Sequence, residues 1–129
     1  MGKTADQIFD TVVGLCFWTD EDKPEYEDQF IRVMNLILSE CYDANNSLRR
    51  KRGKEELQEI PIIKKLTDIL GFEDKFENIT IPYGVASIIY VEDDEQGLAN
   101  IYREKYEISK NENSAARFVA AAEDEEEEW

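Results

Sequence analysis

Three groups of residues in this sequence could support chemistry: a run of four acids, two cysteines and a group of adjacent basic residues. The acids occupy residues 92–95, in the order Glu-Asp-Asp-Glu. A calcium loop requires alternating oxygen ligands, a central glycine and a distal glutamate, and four consecutive acids do not supply that spacing. We therefore predict no metal site here. We interpret the run as the joint between two helices, in which Asp93 or Asp94 caps the second helix.

The sequence contains no histidine. The usual acid–base group at neutral pH and the commonest zinc ligand are therefore missing, and a histidine-dependent nucleophilic triad is excluded. Cys16 and Cys41 lie within apolar stretches, so we expect two reduced thiols in the core. The motif Gly-Lys-Thr at residues 2–4 lacks the strand and the first glycine of a phosphate-binding loop. The sequence predicts a protein that is not an enzyme and has no cofactor.

Five basic residues stand within six positions and carry a third of the positive charge of the chain. Cations also favour the C-terminal end of a helix, so the group could be a solvated loop or helix end. Alternatively, it could contact an acidic protein surface or the phosphates of DNA. Because adjacent like charges repel one another, we predict a partner-binding role and favour a protein partner over DNA. We call this group the basic cluster: Arg49, Arg50, Lys51, Arg52 and Lys54.

Composition limits the classes of partner. The 129 residues include 30 acids and 15 bases, a formal net charge of −15, which repels nucleic acid and anionic membranes in general. No window reaches about 18 apolar residues, so we expect no membrane span. The apolar fraction of 42% supports a core. Residues 123–128 are all acidic, and we predict a single helical domain over residues 1–122 and a disordered acidic tail over residues 123–129.

Hydrophobic periodicity predicts an all-α fold, with about four helices in a small bundle. Thr4 and Gln7 form a capping-box pattern at the start of the first helix, and Pro24 suits the first turn of the second helix. Pro61 disfavours helix at Ile60, so we predict an extended Ile-Pro segment followed by a short turn of helix. The predicted helices span residues 5–18, 24–46, 74–91 (with a bend or break near Pro82) and 94–110.

The second predicted helix is apolar around more of its circumference than a surface helix requires, since Ile31, Leu36 and Leu38 lie outside its main stripe. This pattern indicates burial on two sides or a central position in the bundle. The last two helices are expected to form a hairpin. Its predicted core residues are Tyr83, Ala86, Leu98 and Tyr102.

Three stretches within residues 26–107 resemble small structural proteins of tailed bacteriophages and prophages. "FIRVMNLILSECYDANNSLR" is similar to their first long helix, which has an asparagine within apolar residues, as at Asn35. "EIPIIKKLTDILGFEDKF" resembles their Ile-Pro segment and Thr-Asp turn. "IPYGVASIIYVEDDEQGLANIYREKYE" resembles their Pro-Tyr-Gly helix, acidic joint and closing helix that ends in a tyrosine.

The resemblance implies a virion assembly protein, a head–tail connector or adaptor that acts through contact. Such proteins are helical and assemble as rings on the portal, so we expect a homo-oligomer, portal or other virion partners, and a location in the virion or, as a prophage product, in the bacterial cytoplasm. The acidic tail is not a feature of that class. The alternative is a small acidic helical binding or regulatory module, such as an inhibitor that mimics nucleic acid.

Overall fold

The computed structural model describes the backbone of residues 2–127 and the side chains of residues 2–112. This part of the chain contains four α-helices and no β-strand, which confirms the predicted all-α fold. The side chains of the predicted acidic tail lie outside the described residues. The helices are α1 (Ala5–Leu15), α2 (Lys23–Lys51), α3 (Ile81–Glu92) and α4 (Gln96–Glu127).

Helix α1 begins with the predicted capping box. The Gln7 amide donates to Thr4 Oγ1 at 3.3 Å, and the Thr4 amide donates to Gln7 Oε1 at 3.0 Å. The helix ends at Leu15, three residues before the predicted end, because Phe17 adopts a left-handed conformation with φ of 58°. The Trp18 amide then donates to the Val13 carbonyl at 3.0 Å, which is the closing bond of a Schellman motif.

Helix α2 has Pro24 in its first turn, as predicted, but it continues to Lys51, five residues beyond the expected end. Asn45 and Asn46 favour caps and turns over helix interiors, so the sequence indicated an earlier end. Both are buried, and their side chains bind backbone groups of the following segment. These tertiary bonds override the low helix propensity. Gly53, with φ of 72°, ends the helix.

The segment after α2, residues 54–73, contains no helix or strand; we call it the connecting segment. A β-turn, closed by the Asp68 amide and the Lys65 carbonyl at 3.0 Å, replaces the predicted short turn of helix. Two carbonyls of the segment accept from the first amides of α1. The Ala5 amide donates to Asp68 and the Asp6 amide to Leu66, both at 2.9 Å, which satisfies donors that a helix start leaves open.

Helix α3 is preceded without interruption by a π-helical stretch, Phe76–Thr80. Pro82 lies in the first turn of α3 and has no amide hydrogen to donate to the preceding turn. The wider π-helical turns therefore lie where the sequence predicted a bend or break near Pro82.

Helices α3 and α4 form the predicted hairpin. The Schellman motif between them places Asp94 at φ of 63°, with the Glu95 amide donating to the Tyr90 carbonyl at 2.8 Å. Asp93 is the C-cap residue of α3 and Asp94 follows it in the left-handed conformation, whereas α4 begins only at Gln96. The prediction that Asp93 or Asp94 caps α4 is therefore wrong. Among the predicted core residues, Ala86 is fully buried and the rings of Tyr83 and Tyr102 lie 5.8 Å apart. Leu98 is only partly buried.

The centre of the bundle is the contact between Gly84 and Tyr106. Tyr106 is fully buried, and its hydroxyl donates to Glu40 Oε1 at 2.8 Å. A Cβ atom at Gly84 would lie 2.8 Å from two ring carbons of Tyr106 and 2.9 Å from Cδ1 of Ile37. Only glycine therefore allows α2, α3 and α4 to meet at this point.

Replacement of Gly84 by alanine should destabilise the fold by about 1–3 kcal/mol, the usual cost of overpacking a core. Helix propensity alone would favour alanine by about 1 kcal/mol, but the pinned Tyr106 ring cannot move aside freely. Gly14→Ala in α1 is the matched control, since a Cβ atom added at Gly14 would have no other atom within 4 Å, and it should stabilise. Urea unfolding measures both. Equal stabilisation by the two changes would contradict the packing.

A second buried group, the carboxyl of Glu77, lies beneath the N-terminal residues. Glu77 is 1% exposed. Its Oε1 accepts from the Lys3 amide at 3.0 Å, while Oε2 has no hydrogen-bond partner. Burial raises the pKa of this carboxyl; the Lys3 hydrogen bond opposes the rise in part, and the charge of Asp74 adds to it. The folded protein therefore binds this proton more tightly than the unfolded chain does.

The stability contributed by Glu77 should fall as pH rises from the ordinary glutamate pKa through the raised pKa of the folded state. Glu77→Gln cannot titrate, so the stability of this variant relative to wild type should increase between about pH 4 and about pH 8. Urea unfolding across this range tests the sign, with the exposed Glu104→Gln as control. A difference that does not change with pH would contradict the expectation.

Candidate functional site

The basic cluster lies at the C-terminal end of α2. Arg49, Arg50 and Lys51 occupy the last turn, Arg52 is the C-cap residue, and Lys54 follows Gly53. The Lys54 amide donates to the Arg49 carbonyl at 2.8 Å. This closing bond folds the chain back and brings the ends of the cluster together.

A single buried carboxylate lies at the centre of the cluster. The side chain of Glu73 is 5% exposed, and its amide donates to Asn45 Oδ1 of α2 at 2.8 Å. The carboxylate is approached by three cations of the basic cluster, Lys54 Nζ at 3.1 Å, Arg52 Nη1 at 3.4 Å and Arg49 Nη1 at 3.8 Å.

The other described contacts of the cluster are also within the chain. Arg50 Nη1 lies 3.2 Å from Glu56 Oε1, and both side chains are largely exposed. Arg49 Nε donates to the Glu55 carbonyl at 2.6 Å. The repulsion between adjacent cations, on which the sequence prediction depended, is thus partly relieved by Glu73. No sequence signal identified Glu73, one of 30 acids. The partner-binding role of the cluster stays a prediction.

A second surface feature is an apolar groove between α2 and the connecting segment. The cavity has a volume of about 470 Å³. Its apolar walls include Leu36, which is 50% exposed, and Ile62, which is 68% exposed. Of the three apolar residues of α2 outside its main stripe, only Leu36 lines the groove; Leu38 is buried in the core and Ile31 packs against it. The lining residues are Arg32, Asn35, Leu36, Ser39, Ile60, Pro61 and Ile62.

One side chain fixes the width of the groove. Asn35 Nδ2 donates to the Ile63 carbonyl at 2.9 Å, and the Ile63 amide donates to Asn35 Oδ1 at 2.8 Å. Both backbone groups of Ile63 are satisfied by one amide, and the Ile63 side chain is buried. Because side chains alternate along an extended chain, burial of Ile63 leaves Ile62 directed outwards.

The other candidate groups take structural roles. Glu92, the first acid of the joint, accepts from Arg32 and Gln29, both at 2.8 Å, and the Arg32 hydrogen bond, followed by that of Gln29, lowers its pKa. Burial raises the pKa of Cys16 to about 12 and that of Cys41 to about 11, so neither is a thiolate at neutral pH. No group of three or more metal-ligating side chains occurs among the described residues.

As far as the described residues extend, the chain has no helix with the length and apolar character needed to cross a membrane. Comparison of the chain with protein-family models, curated proteins and solved structures gives no match.

Glu73→Gln should destabilise the protein by about 1–3 kcal/mol, because three cations lose the charge that they surround and the buried site loses acceptor capacity. Glu56→Gln is the matched control at an exposed pair, and it should cost less than about 0.5 kcal/mol. Urea unfolding at low salt compares the two. A similarly small change in the free energy of unfolding for both variants would show that Glu73 does not stabilise the arrangement of the basic cluster.

Proposed function

We propose that this protein is a non-enzymatic assembly component of a tailed-phage or prophage virion, a head–tail connector or adaptor that acts through contacts with other proteins. The observation that carries the proposal is the apolar groove. Leu36, Ile60 and Ile62 expose apolar side chains next to one another along the walls of one cavity. Such a patch is typical of a protein-interaction site.

The residues that carry the resemblance also interlock, which supports the same class. The asparagine within the apolar helix, Asn35, binds the backbone of the Ile-Pro segment. The glycine of the Pro-Tyr-Gly motif, Gly84, is the residue against which the tyrosine of the closing helix, Tyr106, packs. Residues that are far apart in the sequence therefore form two contacts, one between Asn35 and the Ile-Pro segment and one between Gly84 and Tyr106.

The partners implied are the portal and neighbouring virion proteins, with copies of the chain arranged as an oligomeric ring on the portal. The location implied is the virion, or the bacterial cytoplasm for a prophage product. An acidic module that mimics nucleic acid would bind through its acids. The groove is lined mainly by apolar and neutral residues, which favours the assembly role.

The proposal is tested by binding of the purified protein to the portal encoded in the same gene block. Ile62→Ser should weaken this binding at least about tenfold, equivalent to about 1.4 kcal/mol, because Ile62 is the most exposed apolar residue of the groove. Ile101→Ser on α4 is the matched control, since it removes an isoleucine that is 51% exposed outside the groove. It should leave binding unchanged.

Absence of portal binding by the wild-type chain would overturn the proposal, as would equal effects of the two serine variants. Circular dichroism of both variants verifies that each remains folded.

A further inference from the structure

We propose that the basic cluster of one copy binds the acidic tail of a neighbouring copy. This inference rests on the proposed function and deepens it by naming the contact through which copies of the chain would assemble. Residues 123–128 supply six consecutive acids, and the basic cluster supplies five cations within six positions. Charge complementarity of this kind fixes which surfaces pair and how they are aligned.

The cations of the basic cluster can bind further acceptors in addition to Glu73. Each arginine has five N–H donors and lysine has three, whereas one carboxylate offers roughly four acceptor sites. Arg49, Arg52 and Lys54 share the carboxylate of Glu73, so most of their donors are left over. The side chains of Arg52 and Lys54 are 40% and 51% exposed. Glu73 thus orients these cations without saturating them.

A polar cavity of about 420 Å³ opens beside Arg50. Its walls include Ser47, which accepts from Arg50 Nη2 at 3.2 Å, and two acids, Asp43 and Glu56. Arg50 itself is half-exposed. The only described acid that pairs with Arg50 is Glu56, which is also largely exposed. Carboxylates of an incoming acidic segment could therefore replace Glu56 at Arg50 or share Arg50 with it.

The course of α4 favours a neighbouring copy over the same chain. Glu92, just before α4, pairs with Arg32 of α2, and Tyr106 of α4 binds Glu40 of α2. The two helices therefore run in the same direction. At this register the end of α2 lies level with about residue 116, so residue 123 would lie about 10 Å farther along a helix that rises 1.5 Å per residue. The described backbone of α4 at residue 123 thus lies beyond the basic cluster of the same chain.

A contact between a tail and a cluster joins two different surfaces. Such a heterologous contact generates a ring where the rotation closes, which is the arrangement that the proposed function requires. DNA is the less suitable occupant, because the net charge of −15 repels phosphate.

Two full-length variants test the inference. The cluster variant, Arg50→Glu with Lys51→Glu, reverses two exposed cations and leaves the three partners of Glu73 in place. The tail variant replaces Glu125, Glu126, Glu127 and Glu128 by glutamine. Lys64→Glu with Lys65→Glu is the matched control, since it reverses two adjacent exposed lysines outside the cluster. Light scattering after size exclusion gives the mass of each protein, and circular dichroism verifies folding.

The wild type and the control should associate into multiples of 15.0 kDa at about 0.05 M salt and dissociate at about 1 M, where charges are screened over about 3 Å. Each variant alone should be monomeric. A mixture of the two should give a one-to-one dimer, because one supplies an intact tail and the other an intact cluster.

A wild type that is monomeric at low salt, a variant that associates like the wild type, or a mixture that stays monomeric would each overturn the inference. This experiment uses the purified chain alone, whereas the test of the proposed function measures portal binding, so the two can fail separately.

Discussion

Hydrogen bonds from asparagine side chains of α2 hold the connecting segment, and the rest of the structure depends on them. The twenty residues of this segment, without helix or strand, expose many backbone donors and acceptors, which must be satisfied where they are buried. Asn35 binds both backbone groups of Ile63, and Asn46 does the same at Leu57, with distances of 2.8–3.2 Å. Asn45 accepts from the Glu73 amide. Side chains of α2 therefore supply the hydrogen bonds that a neighbouring strand would supply in a sheet.

Both surface features follow from these bonds. The Asn35 contact buries Ile63 and turns Ile62 outwards, which creates the groove. The Asn45 contact places Glu73 where three cations can reach it. Loss of Asn35 would leave two backbone groups of Ile63 unpaired in a partly buried place, and loss of Asn45 would leave the Glu73 amide unpaired in a buried place. An unpaired buried group costs about 1–3 kcal/mol, and either loss would also remove a bond that positions a surface feature. Stability and the candidate interaction surfaces are thus coupled through α2.

Local patterns were sufficient to predict those parts of the fold that local physics determines. The capping box at Thr4, the proline in the first turn of α2 and the hairpin after Pro82 could be read from spacing and backbone chemistry. The extension of α2 through Asn45 and Asn46 could not, because it depends on partners up to 28 residues away. For the same reason the basic cluster could be located, whereas its organisation around Glu73 could not. The role of Asp94 was mistaken because aspartate suits both a helix start and a left-handed helix end.

The placement of Glu73 is hard to explain by stability alone. Burial of a carboxylate requires its removal from water, and apolar replacement of a buried ion pair is often neutral or stabilising. The surrounding cations are partly exposed, so each could be hydrated without Glu73. What the carboxylate adds is order, since it limits three long side chains to one region and lowers the entropy that they would lose on binding a partner. This ordering of the cations is compatible with the partner-binding role that we propose for the basic cluster, and it comes in addition to the stability that Glu73 contributes.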